Sequence, residues 1–182
     1  MAYHGVLLAS DCVANDVNSK RRSVKSADDI DNGNVFSLSA YTGTDGEREV
    51  WAAVKPATGA GLTNLYMADG KGIVYTSGKY GNIDPEIGNA YNIGGGEAFT
   101  AFKLEVGDIV VLTAEALGTG AGAGSAYVVA TNGTYALTWA AAAISGVSLK
   151  LQSTEYLSIP RSGAIGSTQR ITAYRFSVEA LS

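Results

Sequence analysis

Tyr127-Val128-Val129-Ala130-Thr131-Asn132-Gly133-Thr134-Tyr135-Ala136-Leu137 sets two runs of β-branched, aromatic and aliphatic residues on either side of an Asn-Gly pair. Asn-Gly tolerates the positive φ that a two-residue type I′ turn needs at both central positions, and the twist of that turn matches the strands it joins. The stretch therefore predicts a β-hairpin. Outward from it the same grammar recurs. Val35, Phe36, Leu38 and Tyr41 predict a strand ending in the turn Thr42-Gly43-Thr44-Asp45-Gly46, and Val50-Trp51-Ala52-Ala53-Val54 predicts another, stopped by Pro56. Gly61, Gly70, Gly72, Gly78 and Gly81 punctuate short apolar runs such as Leu65-Tyr66-Met67 and Ile73-Val74-Tyr75. No segment keeps a helical period for three turns, although Ala140–Ala143, within 139–144, has room for one helical turn. The class is all-β: a compact β-barrel or sandwich of short strands with Gly-rich turns.

Residues 10 to 31 are the most polar part of the chain, with Asp11, Asp16, Lys20, Arg21, Arg22, Lys25, Asp28, Asp29 and Asp31 among few large apolar side chains. They read as an exposed arm or a long ordered loop, so residues 1–28 are assigned to an extended N-terminal arm and 29–182 to the β domain. A weak repeat runs through that domain. Asn32-Gly33-Asn34-Val35-Phe36-Ser37-Leu38-Ser39-Ala40 aligns with Val106-Gly107-Asp108-Ile109-Val110-Val111-Leu112-Thr113-Ala114. If the repeat is structural, 29–95 and 96–182 are similar halves; the competing reading is that any two Gly-turn-strand units of a β protein look alike.

Composition excludes much chemistry. The 182 residues include 23 Gly, one His and one Cys, so neither a His/Cys zinc cluster nor a disulfide within the chain can be assembled. A catalytic histidine would have to be His4, and a nucleophilic Cys12 would have only His4 as its base, so Cys12 reads better as a small unpaired residue and His4 as a packing or interface residue. The 17 carboxylates include no pair that sequence singles out for hydrolysis, and the chain is read as no enzyme, with no cofactor. A net charge of −4 opposes nucleic-acid binding. The apolar run Gly5–Ala9 lacks a basic lead, which argues against a secretory leader. The charge-free stretch Ala116–Leu149 is broken by Thr131-Asn132-Gly133-Thr134 and reads as buried strands rather than a membrane span.

Local motifs reduce to turns. Asp29-Ile30-Asp31-Asn32-Gly33 opens like a calcium loop but has Gly at position 5 and no distal Glu. Gly94-Gly95-Gly96 is followed by Glu97 instead of the Lys-Ser/Thr of a phosphate loop, and the sequon Asn132-Gly133-Thr134 falls in the predicted tight turn. The one concentrated positive cluster is Lys20, Arg21, Arg22 and Lys25, a candidate docking surface set against a solvated loop as the plain reading. Tyr75, Tyr80 and Tyr91, around the Gly-rich region 78–96, are candidates for an exposed aromatic patch.

Gly96-Glu97-Ala98-Phe99-Thr100-Ala101-Phe102-Lys103-Leu104-Glu105-Val106-Gly107-Asp108-Ile109-Val110-Val111-Leu112-Thr113 resembles a stretch of the head decoration (cement) proteins of tailed bacteriophages. Arg170-Ile171-Thr172-Ala173-Tyr174-Arg175-Phe176-Ser177-Val178 resembles the closing strand of the same family, and a polar segment ahead of Asp31-Asn32-Gly33-Asn34-Val35 fits its layout. The similarity covers about a third of the chain, and Ala116–Ala126 has no counterpart in it. The resemblance implies a non-enzymatic virion protein, made in the host cytoplasm, that binds the outer capsid surface and stabilises the head. Its partners would be the major capsid protein and further copies of itself. Lys20, Arg21, Arg22 and Lys25, together with an edge strand, are then the candidate capsid contacts. The alternative reading is a receptor- or glycan-binding domain of a tail tip or fibre, built on a concave aromatic patch.

Overall fold

In the computed structural model, residues 5, 7–8, 12–13, 20–41, 50–57, 63–70, 92–93, 95–119, 125–160 and 168–179 are described, with the backbone alone at 92–93, 157–160 and 168–169. Their strands are β1 (Arg21–Lys25), β2 (Ile30–Asp31), β3 (Val35–Tyr41), β4 (Val50–Val54), β5 (Tyr66–Asp69), β6 (Asn92–Ile93) and β7 (Ala98–Lys103). They continue with β8 (Ile109–Thr113), β9 (Leu117–Gly118), β10 (Tyr127–Val129), β11 (Leu137–Ala140), β12 (Ser148–Pro160) and β13 (Thr168–Glu179). A 3-10 turn at Ala114–Ala116 separates β8 from β9. Strands β1-β4-β3-β5-β7 close into a barrel, since β7 pairs back onto β1. A six-stranded sheet follows in the order β8-β13-β12-β10-β11-β9, and β2 and β6 form a small separate ladder. The all-β reading holds.

Strand alternation makes two cores out of one set of strands. In β3, Val35 faces the six-stranded sheet while Phe36 points into the barrel; in β5, Met67 faces the sheet while Tyr66 and Ala68 point inward. Phe102 and Ala101 of β7 divide in the same way. The barrel interior is filled by Val24, Ile30, Phe36, Ala53, Phe99 and their neighbours, with Phe36 and Phe99 edge-to-face at 5.7 Å. The larger core joins the barrel's outer face to the sheet through Leu112, Val128, Leu137, Trp139, Leu149 and Phe176. A barrel has no free edge, and its wall doubles as half of the main core.

The repeat is real as a turn. Asn34 N–H donates to Asp31 O at 3.1 Å and Asp108 N–H to Glu105 O at 3.1 Å, around Gly33 (φ +84) and Gly107 (φ +90). In each turn the side chain of the last residue closes the loop: Asp31 N–H donates to Asn34 Oδ1 (3.2 Å) and Glu105 N–H to Asp108 Oδ2 (2.9 Å). The strands launched by these turns then part, β3 into the barrel and β8 to the sheet. Since β7 joins the barrel and β8–β13 build an open sheet, 29–95 and 96–182 do not form two similar halves.

Three expectations need correction. Residues 1–28 do not form an arm throughout, because β1 is a barrel strand with Val24 fully enclosed. Ahead of it, Leu7 bridges Leu112 and is buried, Val13 bridges Ile109, and Gly5 lies so close to the 3-10 turn that a Cβ there would stand 2.4 Å from Ala116 Cα. The hairpin exists, but not with a two-residue turn: β10 and β11 pair from Tyr127↔Ala140 to Val129↔Thr138, and residues 130–136 bulge away. That loop ties the sheet to the barrel, with Gly133 N–H donating to Pro56 O (2.9 Å) and Val35 N–H to Tyr135 O (2.8 Å). The Asn-Gly turn itself forms, Thr134 N–H donating to Thr131 O at 3.3 Å around Gly133 (φ +78), but these tertiary bonds set it inside a longer loop. Finally, Trp139 and Ala140 belong to β11 and residues 141–146 contain no helical turn.

Candidate functional site

The basic cluster lies where the barrel meets the sheet, and two of its cations are bound to the protein's own carboxylates. Lys20 Nζ stands 2.9 Å from Glu105 Oε2 and 3.6 Å from Asp108 Oδ1, whose side chain is only 3% exposed. The hydrogen bond to Glu105 holds the Lys20 ammonium above its ordinary pKa, with the negative charges of Asp108 and Glu105 adding to it and burial opposing. Lys20 thus neutralises a buried acid that itself caps the Glu105–Asp108 turn. Arg21 Nη2 reaches Asp69 Oδ2 at 3.2 Å across β7, linking β1 to β5. Burial pushes the Asp69 carboxyl above its usual range, and the Arg21 guanidinium only partly offsets this. Arg22 Nη1 donates to Arg21 O at 2.8 Å, and Lys25 is half-buried at the end of β1. Lys20 precedes β1, and the other three share that strand but not one outward patch, since alternation sends Arg21 and Lys25 to the face opposite Arg22.

Beside this turn an open cleft of about 350 Å³ runs between barrel and sheet, lined by Lys103, Glu105, Val106, Val147 and Glu179 among others. Its charges are mixed, and Glu179 pairs with Lys150 at 3.3 Å. Cys12 packs against the main core and its thiol donates to Leu8 O at 3.3 Å. The polar run 29–34 is absorbed by backbone ties: Asp29 Oδ1 accepts Gly95 N–H (2.8 Å) and Asn32 Oδ1 accepts Gly70 N–H (2.6 Å). Among the described residues no group of three His, Cys, Asp or Glu could hold a metal ion, and no helix is long and apolar enough to cross a membrane. His4, Tyr75, Tyr80, Tyr91 and Gly94 lie outside the described residues.

The feature that sequence reasoning missed is the length of the last hairpin. β12 and β13 pair continuously from Ser148↔Glu179 to Pro160↔Thr168, with one bulge between Leu151 and Ser153. Among the described residues the sheet holds only the base of this hairpin, through β10 at Ser148–Lys150 and β8 at 173–177. Beyond that the two strands run on as a ribbon. Its root is fixed by Trp139 against Tyr174, edge-to-face at 5.0 Å, and its middle by the Glu155–Arg175 ion pair. Farther out the Arg170 guanidinium sits 3.6 Å over the ring of Tyr156, which is 57% exposed. Tyr156 and Tyr41 are the exposed large aromatics among the described residues, and they stand on different sheets.

The Arg175 hydrogen bond, aided by its charge, holds the Glu155 carboxyl below its ordinary value of 4.5. A depressed carboxylate stabilises the fold above its unfolded pKa, and the contribution disappears as pH falls through the folded value. Glu155→Gln is therefore expected to cost up to about 1 kcal/mol at pH 7, with the gap to wild type closing below about pH 4. Urea midpoints of the two proteins across that range measure it; a gap that stays constant with pH refutes the assignment.

The chain matches no protein-family profile, no curated protein and no solved structure.

Proposed function

We infer that this chain is a non-enzymatic bacteriophage virion protein of the head-decoration type, which binds the outer capsid surface beside the major capsid protein and stabilises the shell. The observation that carries the reading is the ribbon: a pinned two-stranded extension that leaves the sheet with strand edges that no other strand among the described residues covers. Extended edges recruit other proteins by main-chain hydrogen bonding, and they suit adhesion to a lattice. The partial resemblance of Gly96–Thr113 and Arg170–Val178 to phage decoration proteins supplies the partner. Among the described residues the exposed large aromatics, Tyr41 and Tyr156, are on separate sheets and build no shared platform of the kind that the glycan-binding alternative needs; its candidate Tyr75, Tyr80 and Tyr91 lie outside them.

Stabilisation would act by linkage. A protein that binds only the assembled shell adds its binding free energy to that shell, about 2.7 kcal/mol per site at a free concentration a hundred times Kd. Purified protein mixed with undecorated capsids is expected to co-sediment saturably and to raise the temperature at which the capsids release their DNA. Protein that stays in the supernatant and leaves heat resistance unchanged overturns the proposal.

A further inference from the structure

The outer edge of β12 is a row of strand hydrogen-bonding groups that no strand among the described residues answers. Ser148–Lys150 pairs with β10, and Leu151 N–H donates to Ala126 O at 2.9 Å. From Gln152 to Pro160 the strand pairs with β13 alone, and among the described residues its other side meets no backbone partner. Natural sheets guard such edges with charges, prolines, bulges or very short strands. Here the bulge lies at the root, next to Gln152, and Pro160 lies at the tip. The stretch 153–159 between them carries one charge, Glu155. This edge is also preformed: the Glu155–Arg175 pair and the Arg170–Tyr156 stack hold its geometry, so little ordering cost falls on association. A free two-stranded ribbon is marginal in water and gains from further strands.

We propose that β12 of one copy pairs antiparallel with β12 of a second copy about a two-fold axis, making a continuous four-stranded ribbon. The register follows from the edge itself. Full overlap of 152–160 with its own copy puts the axis at the middle residue, Tyr156. Glu155 then faces Leu157, Thr154 faces Ser158 and Ser153 faces Ile159, so no like charges are opposed and each polar edge residue meets a neutral one. Such an isologous contact closes on itself instead of propagating into a fibre. The inference does not rest on the capsid reading: copies can pair in solution whether or not they bind a shell, and failed capsid binding would leave it standing.

Three measurements on the full chain decide it. Sedimentation velocity of the wild type should show a dimer. Tyr156→Lys sets a cation against its own copy and beside Arg170, and should yield a monomer with an unchanged far-UV circular dichroism spectrum; Thr154→Lys should weaken the dimer in the same direction. In a Cys12→Ser background, Tyr156→Cys should form a disulfide-linked dimer on mild oxidation, because residues facing each other across the axis have Cα atoms about 5 Å apart. Thr154→Cys should not, since its two copies lie roughly 14 Å apart along the paired strands. A wild type that stays monomeric up to about 1 mM, the weak end of measurable association, overturns the proposal. So does a dimer that survives both lysine substitutions and fails to cross-link through position 156.

Discussion

A chain lacking residues 1–25 is expected to lose its cooperative thermal transition altogether, although those residues are polar enough to pass for an appendage. β1 pairs in parallel with β4 from Ser23↔Val50 to Lys25↔Ala52 and antiparallel with β7 from Arg21↔Phe102 to Lys25↔Ala98. Its removal opens the barrel and bares two strand edges at once. It also takes Val24, fully enclosed, out of the inner core and Leu7 out of the larger one. Asp108, 3% exposed at its side chain, would lose the neutralising Lys20 as well. Near-UV circular dichroism and a thermal melt of residues 26–182 make the test, and a sharp native-like melt would show that β1 is dispensable.

The second large effect concerns the paired cores. Phe36→Ala empties the barrel interior and Phe102→Ala empties its sheet-facing side; both rings are fully buried. Each is expected to cost about 3–5 kcal/mol, lowering the melting temperature by roughly 10 °C for a chain of this size. Both should shift one common transition. The reason lies in adjacent residues: Val35 and Phe36, Met67 and Ala68, and Ala101 and Phe102 serve different cores from the same strand. A strand cannot leave one core and stay in the other. Calorimetry that splits into two peaks in either variant would show barrel and sheet melting independently.

Strand content was legible because it is written locally, in β-branched runs broken by glycine. The twin turns at Gly33 and Gly107 were legible for the same reason, since their capping side chains, Asn34 and Asp108, sit one residue beyond the glycine. What escaped was settled at long range. Lys20 and Arg21 look solvated because Asp108 and Asp69 are far off in sequence. The Asn-Gly hairpin is longer than its turn signal because Tyr135 is drawn to the barrel, its hydroxyl 3.3 Å from Asp28 Oδ2 and its ring under Lys55. The basic cluster could be named but not placed, since alternation along β1 and the barrel's closure decide which cations face out. The ribbon was hidden because its length rests on pairing between two segments: only the continuous ladder with β13 shows how far the strand runs.

The barrel's closure sets a timetable for a ribosome that releases the chain from its N-terminus. Residues 21–25 find one of their two neighbours only at 98–102, and Val35 N–H waits for the carbonyl of Tyr135. Until both segments have emerged, β1, β3 and β4 can assemble at most a partial sheet with open sides, and the wall shared with the main core has nothing to lean on. Such non-local contacts slow folding and prolong the exposure of sticky intermediates. Folding of this molecule is therefore a late event of its synthesis, and its recovery in soluble form should improve when translation is slowed or the growth temperature lowered.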